Sequence, residues 1–174
     1  MKRNRNSEKE AFEFMVVSAG ERLSFAHRQT VLEMEESIIS FCDYFSVENV
    51  GYLELNFKEP VTDMREAART FEMLNATVLE EHYQAFIRVF ERGGCGRINY
   101  HLLVALDHED KRSVEQKASE EREFWRQIGP SYGLGCCKVS PVKSRDEAVG
   151  TFACRYILEH GGSEPSLKSN HSGN

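Results

Sequence analysis

The chain has 174 residues, 40% of them apolar and 29% charged, with a formal net charge of −6. That length suits one domain with a real hydrophobic core, and no apolar run approaches the roughly 20 residues that a membrane helix needs. The acidic balance argues against indiscriminate nucleic-acid binding, which feeds on a basic field, while leaving room for a small basic site.

The polar start, MKRNRNSEKE, has no apolar stretch directly behind it, so no signal peptide is expected and residues 1–10 read as a solvated tail. The following AFEFMVVSAG suits a short strand or a helix. Five cysteines, an odd number with no CxxC pair, point to reduced thiols in a cytoplasmic protein. Thr30 and Glu33 have capping-box spacing ahead of Val31, Met34, Ile38, Cys42 and Phe45, which predicts a helix starting at Thr30 and ending near Ser46. GYLELNF, Gly51 to Phe57, reads as a strand with one polar-punctuated face, ended by Pro60. Asp63 with Glu66 starts a second helix through Met64, Ala67, Ala68, Phe71, Leu74 and Val78.

Two apolar runs then flank RGGCGR, a glycine-rich connection of hairpin length. Ala85 to Phe90 and Ile98 to Leu106 are rich in the Ile, Val, Leu, Phe and Tyr that suit half-buried strands. Period two puts Asn99, His101 and Leu103 on one face and Tyr100, Leu102 and Val104 on the other. With the turn centred near Cys95, Glu91 lies across from Asn99 and diagonal to His101, within reach of a common ion. Asp107 to Arg112 is a charged loop. A third helix starts near Ser113, carries Val114, Ala118, Phe124, Trp125 and Ile128, and stops at Gly129-Pro130. SYGLG is a loop by composition. Cys136 to Val142 reads as a short strand, with Pro141 marking its end or an edge position. Ser144 and Glu147 start a last helix that runs to about His160, closed by Gly161-Gly162. Residues 161–174 are nearly devoid of apolar side chains and read as a disordered tail.

The predicted order is a helix, then β-α-β-β-α-β, then a final helix. This is an α+β pattern: a mostly antiparallel sheet of ferredoxin-like or RNA-recognition-like topology, helices packed on one face, plus an N-terminal helix and a C-terminal helix. One domain over residues 11–160 is expected, with its core at about 51–160.

Three stretches resemble the HUH superfamily of rolling-circle replication initiator endonucleases. YLELNF (Tyr52 to Phe57) is similar to that family's first motif, a strand that usually reads like FLTLTF. INYHLLVAL (Ile98 to Leu106) is similar to the second, in which His-hydrophobic-His leads an apolar strand. AVGTFACRYILEH (Ala148 to His160) is similar to the third, which usually reads YVAKYI. The stretches follow in the family's order and span most of the chain.

The resemblance implies a nickase of single-stranded or hairpin origin DNA. In it Glu91, Asn99 and His101 hold Mg²⁺ or Mn²⁺, and a tyrosine on the last helix attacks the scissile phosphate and stays joined to its 5′ side. Asn99 stands where the family has its first histidine. Its amide oxygen still suits a hard cation but is a poorer donor than imidazole for softer metals. Phe152 stands at the first tyrosine and has no hydroxyl, which leaves Tyr156, one helical turn on, as the nucleophile. Arg155 stands at the family's lysine; it can hold phosphate but keeps its proton. Lys138, Lys143 and Arg145 are candidates for DNA phosphate contacts.

Taken singly, these residues have plainer readings. His101 suits a structural or surface histidine, Glu91 a solvated turn carboxylate, and Phe152 with Tyr156 a core stripe. A rival function is a relative that binds DNA without cutting it. An RNA-binding module is disfavoured, because the Asn99/His101 face lacks exposed aromatics on its strand. No GxxxxGK[ST] motif occurs, so unwinding would fall to a host helicase acting in trans.

Overall fold

Val50–Phe57 (β1) alternates buried apolar residues with half-buried polar ones, and this alternation sets the architecture around it. The computed structural model describes the backbone of residues 25–93, 95–106 and 112–160, and the side chains of 29–93, 95–106 and 112–152. β1 is an inner strand of an antiparallel sheet completed by β2 (Phe86–Arg92), β3 (Ile98–Ala105) and β4 (Leu134–Pro141). The spatial order is β2-β3-β1-β4, which is the split β-α-β topology. β3 is inserted beside β1, and the helical crossovers carry the chain past it.

The longer helices among the described residues are α1 (Phe25–Phe45), α2 (Met64–Leu74), α3 (Val114–Ile128) and α4 (Arg145–His160). Leu53, Leu55 and Phe57 of β1, with Tyr100, Leu102 and Val104 of β3, meet Phe71 and Leu74 of α2 and Trp125 of α3 on one face. Val50, Leu103 and Ala105 meet Ile38, Phe41 and Cys42 of α1 and Ala148, Val149 and Phe152 of α4 on the other. The flanking helices therefore cover the face that α2 and α3 leave bare.

Local chemistry explains most of the boundaries. Asp63 caps α2 by accepting from the Arg65 N–H at 2.7 Å. Ser113 and Gln116 form a reciprocal capping box at the start of α3. The Ser144 hydroxyl accepts from the Glu147 N–H at 3.1 Å, ahead of α4. α1 stops at Ser46, whose φ of 62° lies in the left-handed region. α2 continues through a π turn, Asn75–Leu79, into a last helical turn, Glu80–His82.

Two boundaries differ from the sequence expectation. α1 begins at least five residues earlier, at Phe25, and Thr30 lies inside it. The Glu33 carboxylate accepts from the Gln29 side chain at 3.1 Å, one turn back along the helix, rather than helping to open a helix at Thr30. β4 begins at Leu134, within the stretch read as a loop, because Leu134 pairs with Phe57 across a register shift. Pro141 sits at the end of β4, an edge strand, where a missing N–H costs no ladder bond. The expected N-terminal tail, the AFEFMVVSAG segment, the C-terminal tail and most of the charged loop lie outside the described residues.

Candidate functional site: a carboxylate, an imidazole and an amide on one end of the sheet

The hairpin turn brings the site together. Gly96, at φ +79°, donates its N–H to the Gly93 carbonyl, and the Gly93 N–H reaches the Arg97 carbonyl, both at 2.8 Å. A left-handed turn residue of this kind favours glycine. β2 and β3 leave the turn in a register that sets Glu91 opposite Asn99 and Val89 opposite His101. On the other edge of β3, Asn56 lies opposite Asn99 and Glu54 opposite His101; Lys138 of β4 follows Glu54. Because side chains alternate, these residues share one face. Towards the turn that face is polar; away from it, Leu103, Ala105 and Val50 are apolar and lie beneath α1 and α4.

His101 is 2% exposed. Its Nε2 lies 2.9 Å from Glu91 Oε2, and its Nδ1 lies 2.6 Å from the Tyr52 hydroxyl. The Tyr52 ring stacks on the imidazole, with centroids 5.7 Å apart and planes 17° apart. The edge-to-face partner of Tyr52 is Phe152 of α4, also at 5.7 Å. Asn99 Oδ1 is buried and has no hydrogen-bond partner. Burying an acceptor in that state costs about 1–3 kcal/mol, and such a group calls for a ligand or another explanation.

The neighbouring carboxylate is tied into the same floor. The Asn56 amide donates to Glu54 Oε1 at 2.9 Å and to the Cys136 carbonyl at 3.0 Å. Lys138 Nζ reaches Glu54 Oε1 at 3.5 Å. Partial burial pushes the Glu54 carboxyl upward, but the Asn56 hydrogen bond and the Lys138 and His101 charges outweigh it and hold the group below its usual range.

The residues singled out in the sequence divide into groups. Glu91, Asn99 and His101 come together, and Lys138 borders them through Glu54. Arg145 lies elsewhere: its Nη1 holds Asp43 at 2.8 Å, clasping the start of α4 to the end of α1. The Lys143 backbone N–H donates to the Glu147 carboxylate at 3.0 Å, and the Lys143 side chain is exposed. The side chains of Arg155 and Tyr156 lie outside the described residues, although α4 itself extends through both. Phe152 is fully buried, as a core residue.

Among the described residues, no group of three or more His, Cys, Asp or Glu is arranged to hold a metal. Glu91 and His101 provide two donors, and the third donor beside them is an amide. Carboxylate, imidazole and amide oxygen together fit a hard divalent cation of the Mg²⁺ or Mn²⁺ type, and the unmatched Asn99 Oδ1 is the atom such an ion would satisfy. Sequence reasoning missed Tyr52, Glu54 and Asn56 as neighbours of His101. Their alternation with Leu53, Leu55 and Phe57 was visible, but the pairing of β1 with β3 was not.

Fold and site together define an α+β domain whose antiparallel sheet carries a polar cluster, with a buried histidine, at its hairpin end. The chain is 38% identical over 130 residues to Phasyl DNA replicon protein arp of Escherichia coli. The match covers 67% of this chain and 46% of that protein, so the chain spans about half the length of its curated relative. No protein-family model and no solved structure matches the chain.

Proposed function

We propose that the chain acts in DNA replication, as the nicking domain of a rolling-circle replication initiator. The observation that carries the reading is the unmatched Asn99 Oδ1 beside the Glu91–His101 pair. The replicon protein named above supports the replication context. In this reading Glu91, His101 and Asn99 hold Mg²⁺ or Mn²⁺. When bound, the ion supplies Lewis-acid polarisation of a non-bridging phosphate oxygen.

The chain's own groups do the rest. The Tyr156 oxygen forms a bond to phosphorus as the bond from phosphorus to the 3′ oxygen breaks. The 5′ phosphate is left on the protein, the phenol gives up its proton to water, and a 3′ hydroxyl is released once that oxygen gains a proton from water in return. A phenol has a pKa of about 10, so the attack needs positive charge nearby. Arg155 and Lys138 are assigned to holding phosphate, and Arg155 cannot act as the acid. Lys143 is a further phosphate contact if DNA continues along α4; Arg145 would first have to release Asp43. The domain would act in the cytoplasm on single-stranded or hairpin origin DNA, with a host helicase in trans.

The test is a pool of 3′-labelled single-stranded hairpin oligonucleotides incubated with the protein and Mn²⁺, followed by denaturing electrophoresis. Wild type should form a covalent protein–DNA adduct, while Tyr156→Phe and His101→Ala should not. An adduct of undiminished yield with Tyr156→Phe would remove that residue as the nucleophile. One observation favours a second reading, a relative that binds DNA without cutting it: the family's first tyrosine position is occupied by a fully buried phenylalanine, Phe152. That reading predicts retention of the same oligonucleotides with no adduct at any Mn²⁺ concentration.

A further inference from the structure

We propose that Tyr52 is a positioning residue for His101, fixing which imidazole nitrogen faces Glu91 and a bound cation; this rests on the metal-binding reading of the Glu91/Asn99/His101 cluster. Both ring nitrogens are engaged: Nε2 with the Glu91 carboxylate at 2.9 Å and Nδ1 with the Tyr52 hydroxyl at 2.6 Å. A neutral imidazole carries a single N–H, and an ionised carboxylate can only accept. Without a cation Nε2–H donates to Glu91; the neutral ring then accepts at Nδ1 from the Tyr52 hydroxyl, whereas an imidazolium donates there as well. With a cation on Nε2, the lone pair is needed there, the proton sits on Nδ1, and the Tyr52 oxygen accepts it.

A hydroxyl fits both states because it can donate or accept at the same distance. A carboxylate in its place would lock the ring in the second state, and an apolar residue would leave Nδ1 unmatched. Burial sharpens the requirement, since His101 is 2% exposed and little water can take over the role. The ring is also held in plane by the stacked Tyr52 ring, and Phe152 of α4 meets Tyr52 with the two rings nearly perpendicular. The first strand and the last helix thus meet at the residue that orients the histidine. Partners of this kind on ligating histidines typically change metal affinity 10- to 100-fold when removed.

The experiment is calorimetric titration of the full chain with MnCl₂, together with ¹⁵N-histidine NMR in saturating Mg²⁺. Wild type is expected to bind Mn²⁺ and His101→Ala to lose binding. Tyr52→Phe should bind about 10- to 100-fold more weakly, with the His101 signal shifted away from the Nδ1–H form. Phe152→Leu loosens the Tyr52 ring but keeps its hydroxyl, and should weaken Mn²⁺ binding by clearly less than Tyr52→Phe does. Equal Mn²⁺ affinity in wild type and Tyr52→Phe overturns this proposal alone, as does a loss in Phe152→Leu equal to that in Tyr52→Phe. No Mn²⁺ binding by wild type overturns the metal reading of the site, and this proposal with it.

Discussion

The polar clusters beneath the two faces of the sheet differ, although an unmatched acceptor, Asn75 Oδ1, also occurs in the π turn that continues α2. On the α2/α3 face the Tyr83 hydroxyl donates to Glu121 Oε2 at 2.6 Å and accepts from Trp125 Nε1 at 2.8 Å. His82 Nε2 lies 3.0 Å from the same carboxylate, and its ring stacks on Phe124 at 3.9 Å. Burial and the Glu121 charge raise the Tyr83 phenol well above its ordinary range, so it stays a neutral hydrogen-bonding strut. On the α1/α4 face Asn99 Oδ1 is left without a partner beside a buried histidine. A matched buried network is complete as it stands and serves the fold; an unmatched one is complete only with something added.

That contrast can be broken at several points, the largest first. Trp125→Ala should lose about 3–5 kcal/mol of stability, through the cavity and the lost ring contacts, measured by guanidinium unfolding. Tyr83→Phe should lose about 1–3 kcal/mol, because Trp125 Nε1 loses its acceptor and Glu121 a donor. Asn99→Ala should not destabilise the fold and should stabilise it by up to about 1–3 kcal/mol, since it removes a buried acceptor that has no partner, yet it should weaken Mn²⁺ binding. If Asn99→Ala instead costs as much as Tyr83→Phe, the two faces do not differ as argued. Asn99→His should strengthen Mn²⁺ binding by replacing a neutral amide with an imidazole donor.

The smallest effect concerns the thiols. Burial first, and the neighbouring Asp43, push the Cys42 thiol up to about 11; burial and the adjacent Cys136 push Cys137 up to about 12. At pH 8 both lie far below their pKa values and are protonated, and the thiolate is the reactive form. Timed alkylation followed by mass spectrometry should modify the exposed Cys95 and Cys136 first and leave Cys42 and Cys137 largely unreacted.

Much of the fold was legible because it rests on local rules. The alternation in YLELNF, the hairpin about Cys95, the Asp63 and Ser144 starts and the Gly129-Pro130 stop each act within a few residues. Misreadings arose where a distant partner decided the outcome. Leu134 joins β4 because Phe57 lies beside it; the start of α1 is instead a local matter, Glu33 pairing with Gln29 one turn back inside a helix that already includes Thr30. Arg145 is again a case of a distant partner: nothing in its local sequence announces Asp43, 102 positions away, as its ion-pair partner.

The candidate site divides along the same line. Glu91, Asn99 and His101 belong to one hairpin, so turn length and period two were enough to bring them to one face. Tyr52, Glu54 and Asn56 belong to a strand separated from them by a helix, and only the β1–β3 register makes them neighbours. Sequence by itself determined which side chains alternate and where the chain turns, because backbone geometry enforces both within each segment. Tertiary structure decided that His101 is buried between a carboxylate and a phenol while Asn99 goes unmatched, because burial and pairing depend on what the rest of the chain packs against them.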